Sequence, residues 1–229
     1  MIMQHKVGGS EIFSDVSVLA LRYVRIWGIA AGFLAALTTG LDVLLVGETE
    51  GVAIFIESIV NFFVSYRVAE MILRSESLLT TANRSYGSLF FASFLTTLGI
   101  GLGVLLLIVP GIYCMARWSM VTPLIVSEGK AASEAMAESW ARTRESVWPL
   151  AGVYLVYTLG ICVVIALFAI TETADVLDGA ASVAQNSDMI MPFVLNLAID
   201  ALGMLGMLIG IAVYRALMGN ATTYNDVFS

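Results

Sequence analysis

Charge is scarce in this chain. Asp, Glu, Lys and Arg together make up 13% of its 229 residues, against about 25% in a soluble domain. Histidine is nearly absent: His5 is the only one, which excludes a His-based catalytic triad and a zinc hydrolase. The two cysteines, Cys114 and Cys162, both lie in apolar stretches. They form no disulfide framework and are too few for a structural zinc site, so they read as small packing residues. No metal and no cofactor is expected. Basic residues are outnumbered 18 to 11, giving a net charge of −7; this excludes a nucleic-acid partner, which needs a basic patch. The start of the chain lacks the short apolar core and small-residue cleavage site of a secretory signal. Lys6 is followed by Gly8, Gly9, Ser10 and the acidic Glu11 and Asp15, and the first apolar segment is expected to stay in place as an anchor.

What is abundant is apolar sequence: 59% of residues are hydrophobic and the mean hydropathy is +0.90. It is gathered into stretches of roughly 20 residues, the length that crosses about 30 Å of hydrocarbon at 1.5 Å per residue. The stretches are apolar all round, as lipid-facing helices must be. The expected fold is all-α, a polytopic membrane helix bundle forming a single integral membrane domain over 1–229, with about six transmembrane helices plus amphipathic interfacial helices.

An amphipathic lead-in over 11–26 carries Ile12, Val16, Leu19 and Tyr23 at helical spacing, with Ser10 or Ser14 as the cap. The spans are expected at 24–46, 52–73, 89–109, 112–127, 148–170 and 190–214. Polar connectors are expected at 47–51 and 75–88, and an acidic loop at 171–188. Pro110-Gly111 is expected to turn the chain, Pro123 to kink the fourth span, and the tail after Arg215 to be short. Residues 128–147 read as an interfacial helix on the membrane surface. Met136, Trp140, Thr143 and Val147 line one face of it; Glu134, Glu138, Arg142 and Glu145 line the other.

All Lys and Arg except Arg117 fall on one side of this layout. Those ten are Lys6, Arg22, Arg25, Arg67, Arg74, Arg84, Lys130, Arg142, Arg144 and Arg215. The opposite loops hold only acids. By the positive-inside rule, both termini and the 128–147 helix are expected in the cytoplasm of a multi-pass inner-membrane protein. Three aromatic–Arg pairs, Tyr66-Arg67, Arg117-Trp118 and Tyr214-Arg215, are carried by the even spans. They suggest a weak three-fold repeat, or simply an aromatic belt with snorkelling arginines.

Three charges fall inside spans, where each costs about 2.5–3.5 kcal/mol on insertion scales. Counting residues places Glu57, Arg117 and Asp200 roughly 9, 9 and 15 Å below the outer boundary. Asn61 and Asn196 lie one turn from the carboxylates. These five residues form the candidate intramembrane polar cluster, with Arg117 bridging Glu57 and Asp200 because its planar fork serves two carboxylates. Such a cluster is either a staple that fixes helix register or a ligand or ion site. The glycine pairs Gly28/Gly32, Gly99/Gly103 and Gly206/Gly210 fit close helix packing within the chain or in a dimer. The candidate partner-binding surface is Met136, Trp140, Arg142 and Arg144.

The run Leu107-Ile108-Val109-Pro110-Gly111-Ile112-Tyr113, followed by Arg117-Trp118, Pro123, Glu128, Ala135 and Ser139-Trp140, resembles the bacterial membrane family of YciC-like inner-membrane proteins. That family also includes the membrane domain of some glycerophosphodiester phosphodiesterases. The match is dense over 105–148, and Phe13-Ser14-Asp15 fits the family's start. The resemblance implies six helices and no catalysis by the membrane part, which in relatives anchors or feeds a soluble enzyme; it also places Arg117 at a shared motif position.

The expectation is therefore a non-enzymatic membrane scaffold or accessory factor. The alternative is a transporter or lipid-handling protein with a polar intramembrane site, and an intramembrane enzyme is the third reading. The expected partners are membrane lipids and a protein partner or a second copy of the chain.

Overall fold

A computed structural model describes residues 7–45, 50–80, 86–106, 108–177 and 189–227. The described residues are all-α. In chain order the helices are α1 (Gly9–Arg22), α2 (Val24–Leu44), α3 (Glu50–Ser75), α4 (Tyr86–Leu106), α5 (Ile108–Arg117), α6 (Val121–Glu128), α7 (Ala132–Arg142), α8 (Val147–Leu177) and α9 (Ile190–Val227). Six stretches are long and apolar enough to cross a membrane: α2, α3, α4, the α5–α6 pair, α8 and α9. The chain is a multi-pass membrane protein.

The prolines mark where helices begin. Pro110, Pro123, Pro149 and Pro192 are each the third residue of a helix: α5, α6, α8 and α9. The first four N–H groups of a helix have no partner inside it, so a residue without an N–H loses nothing there. Two expectations are corrected by this. Pro110-Gly111 does not turn the chain but lies in the first turn of α5. Pro123 does not kink a continuous span; the helix is interrupted at Trp118–Met120 and Pro123 helps restart it. Gly129 ends α6 in the left-handed conformation (φ 67°) that glycine adopts without a Cβ penalty.

Other boundaries shift. The cap of α1 is Gly8, with no side-chain cap hydrogen bond, rather than Ser10 or Ser14. α8 runs on to Leu177, into the expected acidic loop, and α9 runs on to Val227; between Arg215 and Gly219 no residue breaks a helix. Residues 46–49, 81–85 and 178–188, where polar loops are expected, lie outside the described residues, as do His5 and Lys6.

The chain divides into two compact units. The first comprises Met1–Tyr23, Tyr66–Tyr157 and Leu205–Ser229; the second comprises Val24–Ser65 and Thr158–Met204. In the first unit α4 and α5 form an antiparallel hairpin whose backbones nearly touch. A Cβ on Gly103 would come within 2.9 Å of Gly111 Cα, and one on Gly99 within 2.5 Å of the Trp118 ring. The Gly99/Gly103 pair is thus a packing seam inside the chain. Ile12, Val16 and Leu19 of α1 are buried in the same unit, while Phe90, Phe91 and Phe94 of α4 are exposed, as a lipid-facing surface is.

Candidate functional site

The interruption of the fourth span sets up the site. Ending α5 at Arg117 leaves backbone groups without intrahelical partners, and buried away from water each such group is costly. α7 supplies the partners. Ser139 Oγ donates to the Arg117 carbonyl at 2.7 Å and accepts from the Met120 N–H at 3.2 Å. Thr143 Oγ1 lies 3.3 Å from the same carbonyl. One buried hydroxyl therefore clips both sides of the break. Ala135, Ser139 and Thr143 are all fully buried, so α7 presses its small-residue face against α6. Of the expected Met136–Trp140–Thr143–Val147 face, Thr143 and Val147 are buried, while Ala135 and Ser139 take the places expected of Met136 and Trp140, because small side chains permit close approach and hydroxyls can satisfy the broken backbone.

The Arg117 side chain is 5% exposed. Its guanidinium carbon sits 4.3 Å from the centroid of the Trp140 ring and 5.7 Å from that of Tyr113. Trp140 in turn packs on Tyr113 (5.9 Å) and on Trp118 (6.0 Å). Arg117 Nε and Nη1 are buried with no hydrogen-bond partner. In the first unit the residue expected to bridge two carboxylates is held by aromatic faces, and both nitrogens are left open.

The other members of the expected cluster belong to the second unit, and their amides bond elsewhere. Asn196 Nδ2 donates to Thr39 Oγ1 at 3.1 Å, tying α9 to α2. Asn61 Oδ1 accepts from Ser65 Oγ at 3.2 Å within α3. Asp200 is 8% exposed, Glu57 is half-buried, and the two carboxylates are within electrostatic reach of one another. Neither unit contains the five-residue cluster. Helical spacing correctly places Asn61 near Glu57 and Asn196 near Asp200 along the chain, but neither amide turns to its carboxylate.

Two polar networks in the first unit were not anticipated as such. In one, Glu76 accepts from Arg22 Nη1 (2.8 Å), Tyr23 Oη (2.7 Å) and Arg215 Nη1 (3.0 Å), and Arg215 also pairs with Asp15 (3.0 Å). This joins α1, the end of α3 and α9. Burial works to raise the Glu76 pKa, but hydrogen bonds from Tyr23 and Arg22 and the charges of Arg215 and Arg22 outweigh it and hold it below the usual carboxylate value. In the other, Ser127 Oγ donates to Tyr214 Oη (2.8 Å), which donates to Glu128 (2.9 Å). Lys130 pairs with Glu128 and Glu138, and Arg142 pairs with Glu138 and meets Met218. The sequence signal for both networks was the excess of basic residues on one side, which says nothing of their partners.

Of the candidate partner-binding residues, Arg142 is engaged in this second network, Met136 is half-buried, Trp140 stacks on Arg117 while 38% exposed, and Arg144 is exposed. The aromatic–Arg pairs also diverge. Arg67 is exposed beside Glu70, Arg117 is buried on Trp140, and Arg215 is paired with two acids.

Residues 90–220, more than half of the chain, match the family model for the membrane domain of glycerophosphoryl diester phosphodiesterase. The chain belongs to this family. The matched range takes in the α4–α5 seam, the broken span, the Ser139 clip and Arg117. No curated protein and no solved structure matches the chain.

Proposed function

We propose that this membrane domain is a non-enzymatic accessory module of the bacterial inner membrane, with both termini and the α6–α7 hairpin on the cytoplasmic side, and that it holds a partner protein there. The observation that carries the reading is how the charged groups of the first unit are used. Asp15, Arg22, Glu76 and Arg215 pair with one another across helices, and so do Glu128, Lys130, Glu138 and Arg142. An enzyme site gathers such groups toward a common point with perturbed and unshared protons; a platform locks its helices together with them. Arg144 and Glu134 remain exposed at the two ends of α7 for a partner. Membership of this family supports a partner that acts on phosphodiesters, since the family is the membrane domain of such an enzyme.

Photo-crosslinking in intact cells tests this. A photoreactive residue at Arg144 or Ser133, both exposed on or beside α7, is expected to give one discrete protein adduct, and the same residue at Phe91 on the lipid-facing side of α4 none. Lipid adducts alone from all three positions would overturn the accessory reading. A second reading, lipid handling, is favoured by one observation, the two unpartnered nitrogens of Arg117.

A further inference from the structure

We infer that Arg117 is an anion site at the headgroup level of the membrane, taking a phosphate oxyanion carried by a lipid headgroup or by a small phosphate ester. The inference is independent of the partner-holding role proposed above.

A guanidinium cannot shed its proton in a protein, so its charge must be met where it stands. In most membrane proteins a buried arginine is met by a carboxylate or by backbone carbonyls. Here the Arg117 carbonyl is taken by Ser139 and Thr143, and no carbonyl among the described residues accepts from Nε or Nη1. Among the ion pairs of the described residues none in the first unit includes Arg117; Glu128 and Glu138 of that unit are taken by Lys130 and Arg142. Aromatic stacking supplies some of the missing stabilisation, but only on the face of the plane. The N–H bonds lie in the plane, and stacking on Trp140 fixes that plane while leaving the Nε and Nη1 donors without acceptors. A flat guanidinium with two in-plane donors unmet is complementary to an oxyanion such as phosphate.

Depth follows from α7. The helix carries Glu134, Glu138 and Arg142 on its outer side, so it cannot lie in hydrocarbon. Yet its inner side touches the Arg117 carbonyl and the Met120 N–H directly. Arg117 therefore stands beside a charged helix, so the middle of the α5–α6 stretch lies within reach of water and headgroups from the α7 side. Trp140, Trp118 and Tyr113 around it are the residue types that favour that level. Partial exposure of Trp140 marks the side from which a headgroup would approach.

The test uses the full chain in dodecyl maltoside micelles, which contain no phosphate. Three probes are titrated separately: phosphatidylglycerol, glycerol 3-phosphate and inorganic phosphate. Trp emission and thermal melting are followed for wild type, Arg117→Met and Arg117→Lys. For wild type we expect a saturable change in emission, since Trp140 stacks on the guanidinium and Trp118 packs on Trp140, and a rise in Tm with at least one probe. Arg117→Met is expected to weaken that binding at least tenfold and, with no phosphate present, to melt at or above wild type because an unmet cation is gone. Arg117→Lys keeps the charge and loses the flat fork, so it is expected to fold and to bind more weakly than wild type. A response to phosphatidylglycerol alone assigns the oxyanion to a lipid headgroup; a response to glycerol 3-phosphate or inorganic phosphate assigns it to a soluble ester. No saturable response to any probe overturns the site. So does a response that Arg117→Met and Arg117→Lys retain in full, which would come from other basic residues. An Arg117→Met protein that melts well below wild type in every condition yet binds the probe as wild type does would make Arg117 purely structural.

Discussion

A glycine in the first unit and a glycine in the second meet different surroundings. Gly210 and Gly103 face backbone so closely that an added Cβ would come within 2.7 Å of the Ser119 carbonyl and 2.9 Å of Gly111, whereas around Gly28 and Gly32 of α2 nothing lies within 4 Å. Polar groups divide the same way. The first unit satisfies its acids with multiple cross-helix hydrogen bonds, as at Glu76 and Tyr214. In the second, Asn196 bonds across to Thr39, and the buried Asp200 has another carboxylate, Glu57, within electrostatic reach. The difference teaches where specificity is built. Lipid-facing spans gain little from burying one apolar side chain against another rather than against lipid. The first unit, whose helices carry the charges, is held by close backbone approach and by paired polar groups.

That contrast is most severely tested by overpacking. Gly210→Val places branched carbons against the Ser119 carbonyl and is expected to destabilise by about 3 kcal/mol, read as a drop in the detergent unfolding midpoint. An effect near zero would mean the first unit is not packed to backbone contact. Next comes Glu76→Gln, which removes the charge and one of the two acceptor oxygens that Arg22, Tyr23 and Arg215 share and is expected to cost about 2 kcal/mol.

The same residue predicts a pH dependence. Its folded pKa lies below the ordinary value of 4.5, so its contribution is fully present above that value and is lost as pH falls through the lowered folded pKa. Melting followed from pH 7 to pH 3 should therefore show an acid-side drop that Glu76→Gln flattens; an identical acid limb in both proteins would remove Glu76 from the network.

Ser139→Ala follows in size. It leaves the Arg117 carbonyl to Thr143 alone and the Met120 N–H with nothing, at an expected cost of about 1–2 kcal/mol, and because α7 is clipped through this hydroxyl, protease cleavage within 129–146 should rise. The smallest effect belongs to the second unit. Gly28→Ala meets no neighbour and raises helix propensity, so a change of about 0.5 kcal/mol toward greater stability is expected. A large loss there would instead reveal that α2 packs on a second copy of the chain.

Much of this could be read along the chain. Apolar length gives the six spans because the membrane fixes how many residues a helix needs to cross it. The period of 3.6 picks out Ile12, Val16 and Leu19 as the buried stripe of α1. The prolines were legible too, though as helix starts rather than as a turn and a kink, since a proline three residues into a helix and one in its middle differ only in where the helix begins. α7 was harder. Its apolar face by hydrophobicity is Met136 and Trp140, and its buried face is Ala135, Ser139 and Thr143, because what it packs against is a broken helix needing hydroxyls and close approach.

The sequence by itself determined the solvent this protein lives in and the number of its spans, because these depend on local composition and on the fixed rise of a helix. The tertiary structure alone decided what each polar group meets: Arg117 on Trp140, Asn196 on Thr39, Glu76 among Arg22, Tyr23 and Arg215. Partners for a buried charge come from residues tens to hundreds of positions away, and helical periodicity fixes which way a side chain points without fixing what stands opposite it.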